Sequence, residues 1–380
     1  MYSELSELVT TGDDATPGAL DGLKVLDFSR VLAGPFATMM LGDLGAEVLK
    51  VERPDGGDET RSWGPPFDAS GRSAYYLSIN RNKLGIAADL DSEDDRRLIE
   101  RLLREADVVV DNFRPGTLER RGVSPEQWCA DRPDLIWCTV TGFGLSSDRP
   151  GYDFVAQAEC GWMAITGEPS GDPMKAGVAL ADILAGKDAA IAVLGALVRK
   201  QRTGKGGRFS VSLADSARAA LVNVAQNALV SGRDAARWGN AHPNLVPYAM
   251  YHAADRGIVI AVGSDAHWAA CCSALGLDEL RNDAALATNT GRLAQRDRIV
   301  RAITQRVAEK PAAHWAERLS RAGVPNGLVQ TVLEALRDTD ASPVTGVPPS
   351  VPGAIRFEPP GLDEHGSQIR AEGWGAFRGL

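Results

Sequence analysis

Residues 23–52 read LKVLDFSRVLAGPFATMMLGDLGAEVLKVE. Two short apolar runs, LKVLDFS and AEVLKVE, flank GPFATMMLGDLG, a helical pattern that ends on glycine. Strand, helix and strand in so short a span predict a parallel pair joined by a covering helix. The alternation goes on. LGIAADL (84–90) reads as a strand, SEDDRRLIERLLREA (92–106) as a helix capped by Ser92, and DVVVDNF (107–113) and DLIWCTVTGFG (134–144) as further strands. Apolar strands separated by helices imply an α/β fold whose parallel sheet is covered on both faces.

Beyond this the pattern changes. The turn TGKGG (203–207) and strand RFSVSL (208–213) continue the theme, and a helix-rich stretch then runs to about Gly232. The segment WGNAHPNLVPYAMYHAADRGIVIAVGS (238–264) opens a smaller α+β region with helices over WAACCSALGL (268–277) and RLAQRDRIVRAITQRVAEK (292–310). The Pro- and Gly-rich SPVTGVPPSVPGAIRFEPPGLDEHG (342–366) reads as an extended arm. The expected organisation is a tail at 1–19, a large domain at 20–220, a small α+β domain at 221–325, and a segment at 326–380 that returns to the large domain.

Composition narrows the function. A chain of 380 residues with 44% hydrophobic content can bury a sizeable core. Its formal net charge of −9 disfavours nucleic acid and anionic membranes as partners, though not a local basic pocket. The cysteines Cys129, Cys138, Cys160, Cys271 and Cys272 show no CxxC spacing and sit in apolar contexts, which predicts free thiols. No run approaches the ~18 apolar residues of a membrane span, and MYSELSELVTTGDDATPGAL lacks the basic start and apolar core of a signal peptide. A cytoplasmic protein is expected.

In a doubly wound sheet the first strand–loop–helix is where phosphates bind. Here that loop, SRVLAGPF (29–36), lacks GxGxxG, which disfavours NAD. Arg53, at the end of the second strand in KVERP, stands where an extra ribose phosphate can be met, as in coenzyme A; a solvated strand-end charge is the plainer alternative. In DNFRPG (111–116), Asn112 can bond a ligand amide or its own backbone and Phe113 offers a face to an adenine. Arg114, Arg120 and Arg121 make this edge basic, as does an ordinary solvated helix face. The five histidines form no HExxH or HxxxH pair, and no GxSxG elbow is present. His242 and His267 read more readily as structural than as catalytic. In GVALADILAG (177–186) the lone carboxylate Asp182 precedes an amphipathic run, so it reads either as a helix N-cap or as a reactive group.

Together these stretches resemble the class III coenzyme A transferases, a family that also contains α-methylacyl-CoA racemases. The match starts near Leu20 and is carried by LDGLKVLDFSRVLAGPFATMMLGDLGAEVLKVERPDGGDETRSWGPPF, YYLSINRNK, DVVVDNFRPGTLERRG, RPGYDFVAQAECGWMAITG and GVALADILAG, then by TGKGGRFSVSLADSA and GNAHPNLVPY. The resemblance implies a Rossmann-like large domain that binds CoA, two chains interlocked as a homodimer, and a nucleophilic aspartate matching Asp182. It places CoA contacts at Arg30, Val31, Leu32, Ala33, Arg53, Ala88, Asp89, Asn112, Phe113, Arg114, Arg120 and Tyr152. It places the acid near Arg30, Arg61, Tyr152 and His242. CoA or acyl-CoA is then a substrate, with no tightly bound cofactor, no metal, no nucleic acid and no membrane partner.

Within the family, racemases carry a His before the Asp of a GHD-type motif, whereas this chain has Gly151, Tyr152 and Asp153. A phenol with a pKa near ~10 is a poor base at neutral pH, and NAHPNLVPYAMY supplies no second carboxylate. That departure argues for transfer. No GGGG-like run occurs, which argues against the formyl-CoA branch. GDETRSWGPPF and ARWGNAHPNLVPY look more like the branch using succinyl-CoA and dicarboxylic acids, with Arg30 or Arg61 able to pair with a distal carboxylate. Arg61 reads equally well as half of a structural salt bridge. A racemase and a non-catalytic CoA-binding protein remain the alternatives.

Overall fold

The computed structural model describes residues 18–378, so most of the expected tail lies outside the described residues. Six parallel strands form the main sheet: β1 (Lys24–Asp27), β2 (Glu47–Glu52), β3 (Lys83–Ala87), β4 (Val108–Asp111), β5 (Ile136–Thr141) and β6 (Gly207–Ser212). Their order is β3-β2-β1-β4-β5-β6. The order reverses between β1 and β4, and the crevice beyond the carboxyl ends of such a pair is where doubly wound sheets bind ligands.

The period of two along each strand sorts the core into two layers. Val25, Val48, Val108, Val110, Ile136 and Cys138 point to one face, with helix α1 (Ala33–Asp43) against it. Leu26, Leu49, Leu84, Ile86, Val109 and Trp137 point to the other, where helix α2 (Glu93–Glu105) buries Leu98, Ile99, Leu102 and Leu103. Ser92 takes the N-cap position of α2 but its side chain makes no cap bond. Asn82 bonds Ala354, Arg356 and Phe357 of the C-terminal arm, and Phe357, Ile369, Trp374 and Phe377 complete this second layer.

Helices α3 (Asp153–Glu159) and α4 (Leu180–Thr203) complete the first layer. The inner face of α4 is made of Ala181, Ala185, Gly186, Ala189 and Ala190, small enough for close approach to α1. Gly186 is required there, because a Cβ would stand 2.7 Å from the Ala33 carbonyl oxygen. All five cysteines are free thiols, four of them buried.

The chain divides into two units at positions other than those expected. Of the described residues, those up to Trp162, Lys175–Ser231 and those from Thr339 form the larger; Met163–Met174 and Gly232–Asp338 form the smaller. The smaller unit has an antiparallel sheet of β7 (Tyr248–His252), β8 (Gly257–Ala261) and β9 (Asn326–Leu328) over a core that includes Tyr251, Ile258, Trp268, Ile303 and Trp315. The expected boundary at 325 fails because β9 pairs with β8 and because Glu334 holds Arg256 of the same unit. The boundary at 221 fails because the helix Val222–Ser231 stays with the larger unit. The long helix expected over 292–310 breaks at Gln295, between Asn289–Ala294 and Arg296–Val307.

Candidate active site

A cavity of about 210 Å³ opens at the switch point between β1 and β4. The loop after β1 brings Arg30, Val31, Leu32 and Ala33, the loop after β4 brings Asn112, Phe113 and Arg114, and α4 brings Asp182. Tyr152 joins them from the start of α3. Nine residues expected at the site from sequence therefore line one cavity.

Asp182 does not cap its helix. The helix begins two residues earlier, at Leu180, and Ala179 holds the N-cap position. The cap comes from elsewhere: Asp153 Oδ1 accepts from the Ala181 amide at 2.8 Å, and Asp153 Oδ2 accepts from Gln157 Nε2 at 2.7 Å. Gln157, fully buried, also accepts from the Ala176 amide and donates to the Val178 carbonyl. So α3 clamps the irregular segment leading into α4 and leaves the Asp182 side chain uncommitted to capping. The residue is half-buried by surface, but protein surrounds its carboxyl closely. Burial, and then the neighbouring charge of Asp153, push its pKa up to about 7. A carboxylate stripped of water in this way is a better nucleophile than a hydrated one.

Arg30 is built into place on three sides. Its amide donates to Asn112 Oδ1 at 2.9 Å and its carbonyl accepts from Asn112 Nδ2 at 2.6 Å. Its guanidinium lies 4.9 Å over the Phe113 ring and donates to Glu59 Oε1 at 2.6 Å. The Nε of Arg30 has no protein partner. Arg114 and Arg149 add two more guanidinium groups to the lining, so the cavity is locally basic in an acidic chain.

Other expected residues lie outside the lining. Arg53 and Ala88 follow β2 and β3, whose ends Glu52 and Ala87 are paired, so both stand on the same carboxyl edge of the sheet. Arg53 is exposed and donates Nε to the Gly57 carbonyl. Asp89 bonds Asp91 and its amide meets Asp95; Arg120 reaches Thr117. Arg61 is committed to the interior: it donates to both oxygens of buried Glu52 at 2.8 and 2.6 Å and stacks 3.8 Å from the Tyr76 ring centre. His242 belongs to the smaller unit, where Nδ1 accepts from the Asn244 amide and the ring tilts against Tyr248.

Sequence reasoning missed four contributors. Glu59, Trp63 and Arg149 line the cavity. Tyr75 packs edge-on against Trp63, and its pKa is pushed up to about 12 by burial and by the charges of Asp182 and Asp153. All four lie within stretches that carried the family resemblance, but no local pattern marks a side chain that turns toward a site. Among the described residues no helix is long and apolar enough to cross a membrane, and no group of three or more His, Cys, Asp or Glu is placed to hold a metal ion.

A six-stranded parallel sheet with a desolvated carboxyl at its switch point frames the site, and comparison supplies the family. Residues 20–347 match the family described as CoA-transferase family III. The chain belongs to that family and is a CoA-transferase. It is 39% identical over 376 residues to the succinyl-CoA:glutarate CoA-transferase of Mus musculus, covering 93% of this chain and 86% of that one. It is 38% identical over 380 residues to the succinate–glutarate CoA-transferase of Agrobacterium fabrum, covering 93% and 95%. A CAIB/BAIF family protein from Brucella suis superposes with a TM-score of 0.86 at 39% identity, covering 94% of this chain and all of the other.

Proposed function

We propose that the chain moves CoA from a dicarboxylyl-CoA of the succinyl-CoA type to a second carboxylic acid through a covalent intermediate on Asp182. The observation that carries this is the Asp182 carboxyl, dehydrated and facing a basic cavity at the switch point. An Asp182 oxygen attacks the thioester carbonyl carbon; the C–S bond breaks, leaving a mixed anhydride and CoA thiolate. The thiolate attacks the aspartyl carbonyl carbon, the donor acid leaves as its carboxylate, and CoA remains as an aspartyl thioester. The acceptor carboxylate attacks that thioester and expels the thiolate. Attack of the thiolate on the acceptor acyl carbon restores Asp182 and gives the new acyl-CoA. Each step exchanges one activated acyl bond for another, so the sequence is close to balanced in energy.

Arg30 fits the distal carboxylate of such an acid better than Arg61 does, since it lines the cavity with its side chain 34% exposed, whereas Arg61 is held by buried Glu52. Tyr152, more than half exposed at the cavity wall, is read as a CoA contact. Arg53, Ala88, Asp89 and Arg120, on the same sheet edge, are read as the adenosine end of the CoA site, and His242 as a substrate contact. The strand order supports the Rossmann-like description. Exposed Ile191 and Val198 on α4, with Leu229 and Val230 on the helix Val222–Ser231, support the interlocked homodimer as the surface a second copy would cover. Free thiols fit a reducing compartment such as the cytoplasm.

The test is CoA exchange from succinyl-CoA across a panel of mono- and dicarboxylic acids, read by mass spectrometry, with hydroxylamine added to trap acyl-Asp182. Exchange and trapping in the wild type, and neither in Asp182→Ala, are expected. Full exchange in Asp182→Ala would sink the mechanism. Run in deuterated water with 2-methylacyl-CoA, the same assay should show no deuterium at the α-carbon; rapid incorporation with loss of configuration would make the chain a racemase.

A further inference from the structure

The loop between β1 and α1 turns on Val31, whose φ is +70°. A β-branched residue is rarely found in this left-handed region, because its side chain crowds the following carbonyl. Such a conformation persists only where its surroundings over-determine it. Here the backbone polar groups of the loop are gripped by side chains from the carboxyl edge of the sheet. Asp27 accepts from the Ser29 amide at 2.8 Å, and Lys50 Nζ donates to the Ser29 carbonyl at 2.9 Å. Asn112 brackets Arg30 as described. The Val31 amide itself points at Asp58, 3.2 and 3.3 Å from the two carboxylate oxygens.

Asp58 is the one of these groups that meets Val31 itself. Its side chain is fully buried, pairs with equally buried Lys50 at 3.1 Å, and accepts from the amide and hydroxyl of Thr60. The next residue, Glu59, holds the Arg30 guanidinium. One short segment therefore fixes both the backbone of the turn and the side chain it projects.

We infer that Asp58 is a positioning residue for CoA transfer: it holds Val31 in the left-handed conformation that presents Arg30 to the cavity that Asp182 also lines. This rests on the transfer reading above. Asp58 touches no reacting atom. It acts by removing the loop's freedom before the acyl-CoA arrives, so its effect falls on turnover more than on capture of the large CoA moiety.

The experiment is a cycle of Asp58→Asn and Val31→Gly. Glycine takes a positive φ without strain, so it needs no carboxylate to hold it there. Asp58→Asn alone should lower kcat with succinyl-CoA by about tenfold or more while KM changes less than about threefold. In the Val31→Gly background the same substitution should cost less than about threefold. Equal losses in both backgrounds would make Asp58 merely structural and overturn the inference. If Asp58→Asn does not accumulate as folded protein, Lys50→Met with Asp58→Asn removes both buried charges together and carries the same comparison. Deuterium exchange of the peptide spanning Ser29–Leu32 is the second readout. It should quicken in the Asp58 variant while the sheet peptides stay protected, and unchanged protection overturns the inference. That readout needs no turnover, so a wild type that moved no CoA would defeat the functional reading and leave the loop result to stand or fall by itself.

Discussion

Asp153 caps the helix that carries Asp182, accepting from the Ala181 amide at 2.8 Å, and its charge bears on the Asp182 carboxyl. Capping and repulsion thus come from one residue. Substitution separates them. Asparagine keeps an acceptor for the Ala181 amide but removes the charge, whereas alanine removes both. The attacking form of Asp182 is the carboxylate, so activity should rise with pH through the Asp182 pKa of about 7. Asp153→Asn should move that acid limb to lower pH with kcat on the plateau near wild type. Asp153→Ala should lower the plateau as well, by the loss of a cap worth roughly 1 kcal/mol. A pH–rate profile of the three proteins decides this, and an unmoved limb in Asp153→Asn contradicts it.

The raised pKa of Asp182 also predicts a stability effect. The folded state holds this proton more tightly than the unfolded chain does, so folding bears a cost above about pH 7 that vanishes below the ordinary carboxyl range. Asp182→Asn cannot ionise. It should be more stable than wild type above pH 7, on the order of 2 kcal/mol, with the gap closing toward pH 4. Thermal melts at both pH values check the sign; equal Tm differences at the two contradict it.

Arg61 is expected to report on stability rather than on the acid. Its removal strands Glu52, which is 4% exposed, without its bidentate partner. Breaking a buried pair from one side costs about 3–5 kcal/mol. Arg61→Ala should therefore lower the denaturation midpoint sharply, and CoA exchange by the protein that remains folded should keep the wild-type preference among acids. A folded, stable variant with altered acid preference would return Arg61 to the substrate site.

Arg53 tests the far end of the CoA site. Exposed at the sheet edge, its guanidinium is bonded through Nε to the Gly57 carbonyl and can offer its outer edge to a phosphate. Arg53→Ala should weaken CoA by the roughly 1.5–3 kcal/mol of a charge-assisted contact, about ten- to a hundredfold, and dephospho-CoA much less. Calorimetry with both ligands measures the difference, and equal losses would move Arg53 away from the 3′-phosphate.

The sequence by itself determined the βαβ rhythm from Leu23, the parallel sheet, the α+β character of the smaller unit, and the family. Those features are written in near neighbours: a period of two or of 3.6, a glycine after a helix, a motif of ten residues. It left Asp182 open between helix cap and reactive group for the same reason. An Asp before an apolar run is a good local cap, but the acceptor that does cap α4 stands 28 positions back in the chain. The Val31 amide meets Asp58, 27 positions away, and Arg61 bonds a carbonyl 299 positions away. Only the tertiary structure decided these, because a buried charge or a strained turn takes whatever partner the strand order brings beside it. Position along the chain does not encode that order locally. The sequence marked which residues could do chemistry, and the reversal of strand order between β1 and β4 decided which of them share one cavity.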